Sequence, residues 1–204
     1  MKINLPNQIT IARLFLSIVF MALLARYEVI EERSKLLDGC AVLFIVAALT
    51  DWLDGYLARR SNQVTSLGRV LDPFVDKILV CGAFVLFLGP GFVNREGVNV
   101  TGIAPWMVIV IVGRELLVSG LRGFSESQGQ SFGASMSGKA KMWLQSTTVP
   151  IVIFYVAHPA ALRHNASVAW ILPVMVWLTV VVTIVSVVSY LRRAKHILLE
   201  ASLP

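Results

Sequence analysis

Charge is scarce in this 204-residue chain: charged residues make up 15% against 56% hydrophobic, where a soluble domain approaches a quarter charged. With a mean hydropathy of +0.74, that scarcity excludes a water-soluble globule. Cysteine is nearly missing too. Cys40 and Cys81, both inside apolar runs, offer neither a disulfide framework nor a thiolate metal spacing, and read as small buried hydrophobes. The first apolar run has no small-residue cleavage site and carries Arg13 near its start, so a cleaved signal peptide is not expected. There is no internal repeat and no low-complexity segment. The net charge of +6 and a pI near 9.7 do not point to nucleic acid, because the basic residues are spread through short loops rather than gathered on one polar face. Anionic lipid headgroups or phosphorylated substrates are the expected partners.

What the chain does have is long apolar runs, near Ile9 to Ala25, Gly39 to Leu57, Leu71 to Leu88, Ala104 to Gly123, Ala140 to Ala157 and Val168 to Tyr190. A spanning helix takes about 20 residues. The expectation is therefore one all-α membrane domain, residues 1–204, with six transmembrane helices. An open sheet would leave its edge unsatisfied in lipid, and the runs are too long and continuous for barrel strands. Lys2, Arg59, Arg60, Arg69, Arg122, Lys139, Lys141, Arg192, Arg193 and Lys195 fall on one side of such a bundle, and Arg26, Arg33, Lys35, Arg95 and Arg163 on the other, ten against five. That bias places both termini in the cytoplasm. Pro6 before Asn7 reads as the start of the first helix, with Asn7 capping it.

The informative stretch is Asp51 to Lys77, DWLDGYLARRSNQVTSLGRVLDPFVDK. Asp51 and Asp54 stand at i and i+3, Asp72 and Asp76 at i and i+4, so each pair shares one helix face. If the two helices form an antiparallel hairpin turning near Asn62 or Gln63, Asp54 lies level with Asp72 and Asp51 with Asp76. One aspartate at the bilayer centre costs about 2.5 to 3.5 kcal/mol, so four cost on the order of 10 kcal/mol before their repulsion. Protonation, pairing with cations such as Arg59, Arg69 and Lys77, or divalent metal would offset this. An all-carboxylate set favours two hard divalent cations, Mg²⁺ or Mn²⁺. A proton- or metal-coupled transporter would use the same acids. It would not need the neighbours: Gly55 and Ala58 let a bulky ligand approach the backbone, Arg59 can fork onto phosphate, and Gly68 stands four residues before Asp72.

Asp51, Asp54, Gly55, Ala58, Arg59, Gly68, Asp72 and Asp76 fit the pattern D-x2-D-G-x2-A-R-x8-G-x3-D-x3-D. The chain thereby resembles the CDP-alcohol phosphatidyltransferase family. LPNQITIAR at 5–13, GRELLVSGLR at 113–122 and GKAK at 138–141 look like the bacterial branch that makes phosphatidylglycerol phosphate, with Met142 a departure where that branch often carries threonine. The resemblance implies a six-helix enzyme of the bacterial inner membrane, a homodimer, with its active site open to the cytoplasm. It implies that Asp51, Asp54, Asp72 and Asp76 hold the metals, that Asp54, Gly55, Ala58, Arg59 and Gly68 line the nucleotide-lipid site, and that Asp76 doubles as the catalytic base. The expected substrates are CDP-diacylglycerol and glycerol 3-phosphate, with inositol phosphate, serine or phosphatidylglycerol as alternative acceptors. For the acceptor phosphate the available cations are Arg114, Arg122, Lys139 and Lys141. Arg114, beside Glu115 within an apolar run, has a structural ion pair as its plainer reading.

Overall fold

The computed structural model describes residues 5–31, 34–61, 66–127, 136–159 and 166–201, with side chains described outside 5–7, 51–73, 166–167 and 193–201. Six long helices carry the fold: α1 Leu5–Leu24, α2 Ser34–Ser61, α3 Ser66–Leu86, α4 Pro105–Ser127, α5 Met136–Ala157 and α6 Ile171–Ala201. Among the described residues there is no strand, only an isolated bridge between Val93 and Asn99. The expected all-helical class and the six helices are thus present. Among the described residues one segment, Ile171–Arg192 in α6, is long and apolar enough to cross a membrane, with a mean hydropathy of 2.6.

The helices outrun the apolar runs, mostly at one end of the bundle. α2 continues past Leu57 to Ser61, α3 begins at Ser66 ahead of Leu71, α4 runs on to Ser127, α5 begins at Met136 and α6 reaches Ala201. Polar residues end an apolar run without ending a helix, because backbone hydrogen bonds and good helix formers such as Ala, Arg and Lys carry it onward. At the start of α1 the expectation is corrected: Pro6 and Asn7 lie inside the first helical turn, so Asn7 is not the cap. Proline fits there because a first-turn N–H has no intrahelical partner.

The packing closes a circuit, α1 on α2, α2 on α5, α5 on α6, α6 on α4, α4 on α3 and α3 on α1. At the end opposite the charged helix extensions, an aromatic cluster fills the core. Ring centroids lie 5.1 Å apart for Tyr27 and Phe92, 5.4 Å for Phe87 and Phe92, and 6.2 Å for Phe84 and Phe87. The α3–α4 connection folds onto this cluster through Asn99, whose Nδ2 donates to the Phe87 carbonyl at 2.8 Å while its Oδ1 accepts from the Thr101 N–H and hydroxyl. Gly91 admits the approach: a Cβ there would sit 1.8 Å from the Tyr27 carbonyl oxygen. His158 Nε2, 2.9 Å from Asp38 Oδ1, ties the end of α5 to the start of α2.

Polarity runs inside out. Thr10, Arg13, Ser17, Thr148, Thr179, Thr183 and Ser186 are buried, while Phe15, Val42, Leu49, Ile109, Leu116, Val174, Trp177 and Val185 are exposed. On α6 the buried polar residues recur at Thr179, Thr183, Ser186 and Tyr190, one helical face. They meet Thr148 and Gln145 of α5, with Thr148 and Thr179 hydroxyls 2.8 Å apart and Gln145 Nε2 donating to Thr183 Oγ1 at 3.4 Å.

Candidate active site

At the charged end of the bundle, α3, α4, α5 and α6 enclose a cavity of about 560 Å³. Asp76 and Lys77 of α3 line it, facing Arg114, Glu115 and Arg122 of α4, Lys139 and Lys141 of α5 and Tyr190 of α6. The four cations expected to hold an acceptor phosphate therefore share one cavity with Asp76, although Asp76 and Lys141 are 65 residues apart in the chain. Each is delivered by helical spacing. Arg114, Glu115, Val118 and Arg122 recur on one face of α4, as do Gly138, Lys141 and Gln145 on α5.

Three charged side chains in the wall are buried and interlocked: Arg114 is 6% exposed, Glu115 7% and Lys141 5%. Glu115 Oε1 accepts from Arg114 Nη1 at 2.9 Å and also from Lys141 Nζ. Arg114 Nε donates to Ser186 Oγ at 2.9 Å. So the plainer reading of Arg114, an ion pair with Glu115, holds, and the same guanidinium still borders the cavity. Tyr190 joins the two arginines. Its ring centroid lies 5.2 Å from Arg114 Cζ and 5.8 Å from Arg122 Cζ, and its hydroxyl accepts from Arg122 Nη2 at 3.0 Å. Both contacts are within cation–π range. Lys139 stands at the exposed rim.

A family model described as CDP-alcohol phosphatidyltransferase matches residues 3–185. The chain belongs to the CDP-alcohol phosphatidyltransferase family. It is similar to three proteins named CDP-diacylglycerol–glycerol-3-phosphate 3-phosphatidyltransferase. That of Bacillus subtilis (strain 168) is 40% identical over 161 residues, 74% of this chain and 77% of the relative. That of Haemophilus influenzae is 31% identical over 202 residues, 98% of each chain. That of Rickettsia bellii is 30% identical over 192 residues, 94% of this chain and 96% of the relative.

For a CDP-alcohol phosphatidyltransferase the pattern residues Asp51, Asp54, Gly55, Ala58 and Arg59 fall on the helical course of α2, and Gly68, Asp72 and Asp76 on that of α3. The side chains of all but Asp76 lie outside the described residues, as do residues 62–65, where the hairpin turn was expected. By register, Asp54 stands seven residues before the end of α2 and Asp72 six after the start of α3, while Asp51 and Asp76 are each ten away. Among the described residues no group of three or more acidic, His or Cys side chains forms a metal-binding cluster.

Several residues of the cavity escaped the reading of the sequence. Tyr190 and Gln145 of the lining, and Ser186, which accepts from Arg114 Nε, carried a signal, polar positions at helical spacing within apolar helices, that acidic and basic motifs do not show. Glu126 had none beyond its charge, and Lys77, named only as a possible partner of the acids, lines the cavity as well. Cys81, read as a buried hydrophobe, is half-buried and lines the cavity; Cys40 is fully buried.

Proposed function

We propose that this chain transfers the phosphatidyl group of CDP-diacylglycerol to glycerol 3-phosphate, giving phosphatidylglycerol phosphate and CMP. The observation that carries the reading is the cavity that sets Asp76 against Arg114, Arg122, Lys139 and Lys141, in a family whose relatives bear that activity in their names. Five basic side chains, Lys77 with those four, and three acidic ones, Asp76, Glu115 and Glu126, line it, an excess of two positive charges. A phosphomonoester carries about −1.5 to −2 at neutral pH. Serine, a zwitterion, and phosphatidylglycerol, a singly charged diester, match that excess less well. Inositol phosphate matches it equally, and there the names of the relatives favour glycerol 3-phosphate.

In the reaction, an acceptor hydroxyl oxygen bonds to the phosphorus that carries diacylglycerol, the bridging P–O bond of the pyrophosphate breaks, and CMP leaves with that oxygen. Asp76 takes the hydroxyl proton. Arg122 and Lys139 receive the acceptor phosphate at the open side, and Arg114 and Lys141 meet it deeper in the wall. Gly55 and Ala58 leave room on α2 for the nucleotide, and Arg59 and Gly68 complete that side. Two divalent cations, Mg²⁺ or Mn²⁺, on Asp51, Asp54, Asp72 and Asp76 would supply charge neutralisation for the pyrophosphate and the departing CMP. The all-oxygen donor set and the matched register of the two acidic pairs on α2 and α3 support that assignment.

The fold is read as a six-span membrane bundle, its active site and both termini on the cytoplasmic side of the bacterial inner membrane, and working as a homodimer among membrane lipids. Buried hydroxyls and arginines beneath an apolar exterior support the membrane reading. So does the gathering of basic residues at the cavity end. The deciding experiment measures CMP release from CDP-diacylglycerol by the purified protein with glycerol 3-phosphate, inositol phosphate, serine or phosphatidylglycerol. Glycerol 3-phosphate alone is expected to support turnover. Release with another acceptor and none with glycerol 3-phosphate overturns the acceptor, and ion flux in liposomes with no CMP release overturns the reaction.

A further inference from the structure

We infer that Glu115 is a positioning residue for the acceptor: it acts through Lys141 and Arg114, holding both cations in the wall where the phosphate of the incoming alcohol binds. The inference rests on the phosphatidyltransfer reading and names a residue that reading does not use.

The argument starts from what two long cationic side chains do when unconstrained. A lysine ammonium on its four-carbon stem, or a guanidinium, has many rotamers, and a ligand that recruits it must freeze them. Arg114 and Lys141 come from different helices, α4 and α5, and repel one another. A single carboxylate oxygen, Glu115 Oε1, accepts from both, so their ordering is complete before any ligand arrives. Ser186 takes the Arg114 Nε–H and fixes the guanidinium plane, and Tyr190 lies beneath it. Both residues line the cavity, and a guanidinium and an ammonium each carry more N–H donors than these bonds use.

The charges also decide between positioning and mere neutralisation. One acid against two cations leaves the triad positive, with the surplus at a cavity wall rather than sealed inside the bundle. If Glu115 served only to cancel charge, its removal would strengthen the field on a bound dianion and tighten binding. If it serves to place Lys141 and Arg114, its removal weakens binding although the field has grown. The two roles predict opposite signs.

The test uses the full-length purified protein with CDP-diacylglycerol in mixed micelles, comparing Glu115→Gln, Lys141→Gln and the double variant. Glu115→Gln is expected to raise the KM for glycerol 3-phosphate by about tenfold while the KM for CDP-diacylglycerol stays within about twofold. The double variant is expected to be no worse than the more severe single one, since both changes disable the same ammonium. An acceptor KM that falls or does not move in Glu115→Gln, or effects that multiply in the double variant, overturns the inference. If Glu115→Gln does not fold, Ser186→Ala, which frees the Arg114 Nε–H, is expected to raise the acceptor KM by about threefold with the lipid KM unchanged, and no rise overturns the inference. Glycerol 3-phosphate binding, read as a shift in unfolding temperature of the same proteins, separates the two layers. Wild-type protein that binds it without releasing CMP refutes the reaction and leaves Glu115 to be judged on binding; wild-type protein that does neither refutes both.

Discussion

Asp76 is the one acid of the family pattern whose side chain is described, half-buried on α3 and bordering the cavity that holds the cationic wall. A carboxylate there has the acceptor hydroxyl within its compass if the phosphate of that acceptor is held by Arg122 and Lys139. Asp76→Asn keeps the shape and removes the proton acceptor, so turnover should fall by about 10²-fold or more while nucleotide-lipid binding, followed by CDP-diacylglycerol protection against thermal unfolding, persists. Lys139 lies at the open rim and is not enclosed in the Glu115 triad. Reversal to Lys139→Glu should therefore raise the acceptor KM by about tenfold or more with a smaller change in the lipid KM, which steady-state CMP release with each substrate varied in turn would measure.

Among the elements, the α3–α4 connection depends on a backbone approach that a side chain would block. Gly91 leaves no space for a Cβ beside the Tyr27 carbonyl, and this segment carries Phe92 into the ring cluster with Tyr27 and Phe87. Gly91→Ala should lower stability by about 1 to 3 kcal/mol through forced displacement of that packing, seen as an earlier thermal unfolding transition in detergent. Activity per folded molecule should be unchanged, because the cluster lies at the far end from the cavity. The helices themselves were legible as apolar runs, and their extra turns were not. The apolar runs stop at Leu57, Leu71, Gly123 and Ala140, whereas α2, α3, α4 and α5 extend beyond them through Arg59, Arg69, Glu126 and Lys139 because helix propensity does not depend on burial. Those extra turns carry Ala58, Arg59, Gly68 and Lys139 of the candidate site.

In the whole molecule, the proposed function assigns the four acids on two consecutive helices to the lipid nucleotide and the cations that share the cavity with Asp76 to the acceptor. Should the acids work by holding divalent ions, a chelator must abolish CMP release and added Mg²⁺ or Mn²⁺ must restore it. Release that persists in excess chelator removes the metal from the mechanism while leaving the cavity assignment standing.

The linear order of residues was enough to announce six helices, the paired carboxylates at i, i+3 and i, i+4, and the family pattern from Asp51 to Asp76, since each depends on spacing within one or two neighbouring helices. It also offered Arg114, Arg122, Lys139 and Lys141 as candidates without telling whether they meet. That they do, and that Glu115 grips two of them while Tyr190 lies against two arginines, follows from the packing of α4, α5 and α6. Contacts across 26 residues, as between Glu115 and Lys141, or 72, as between Arg114 and Ser186, leave no periodic trace in a chain. They exist only once helix faces have chosen their partners.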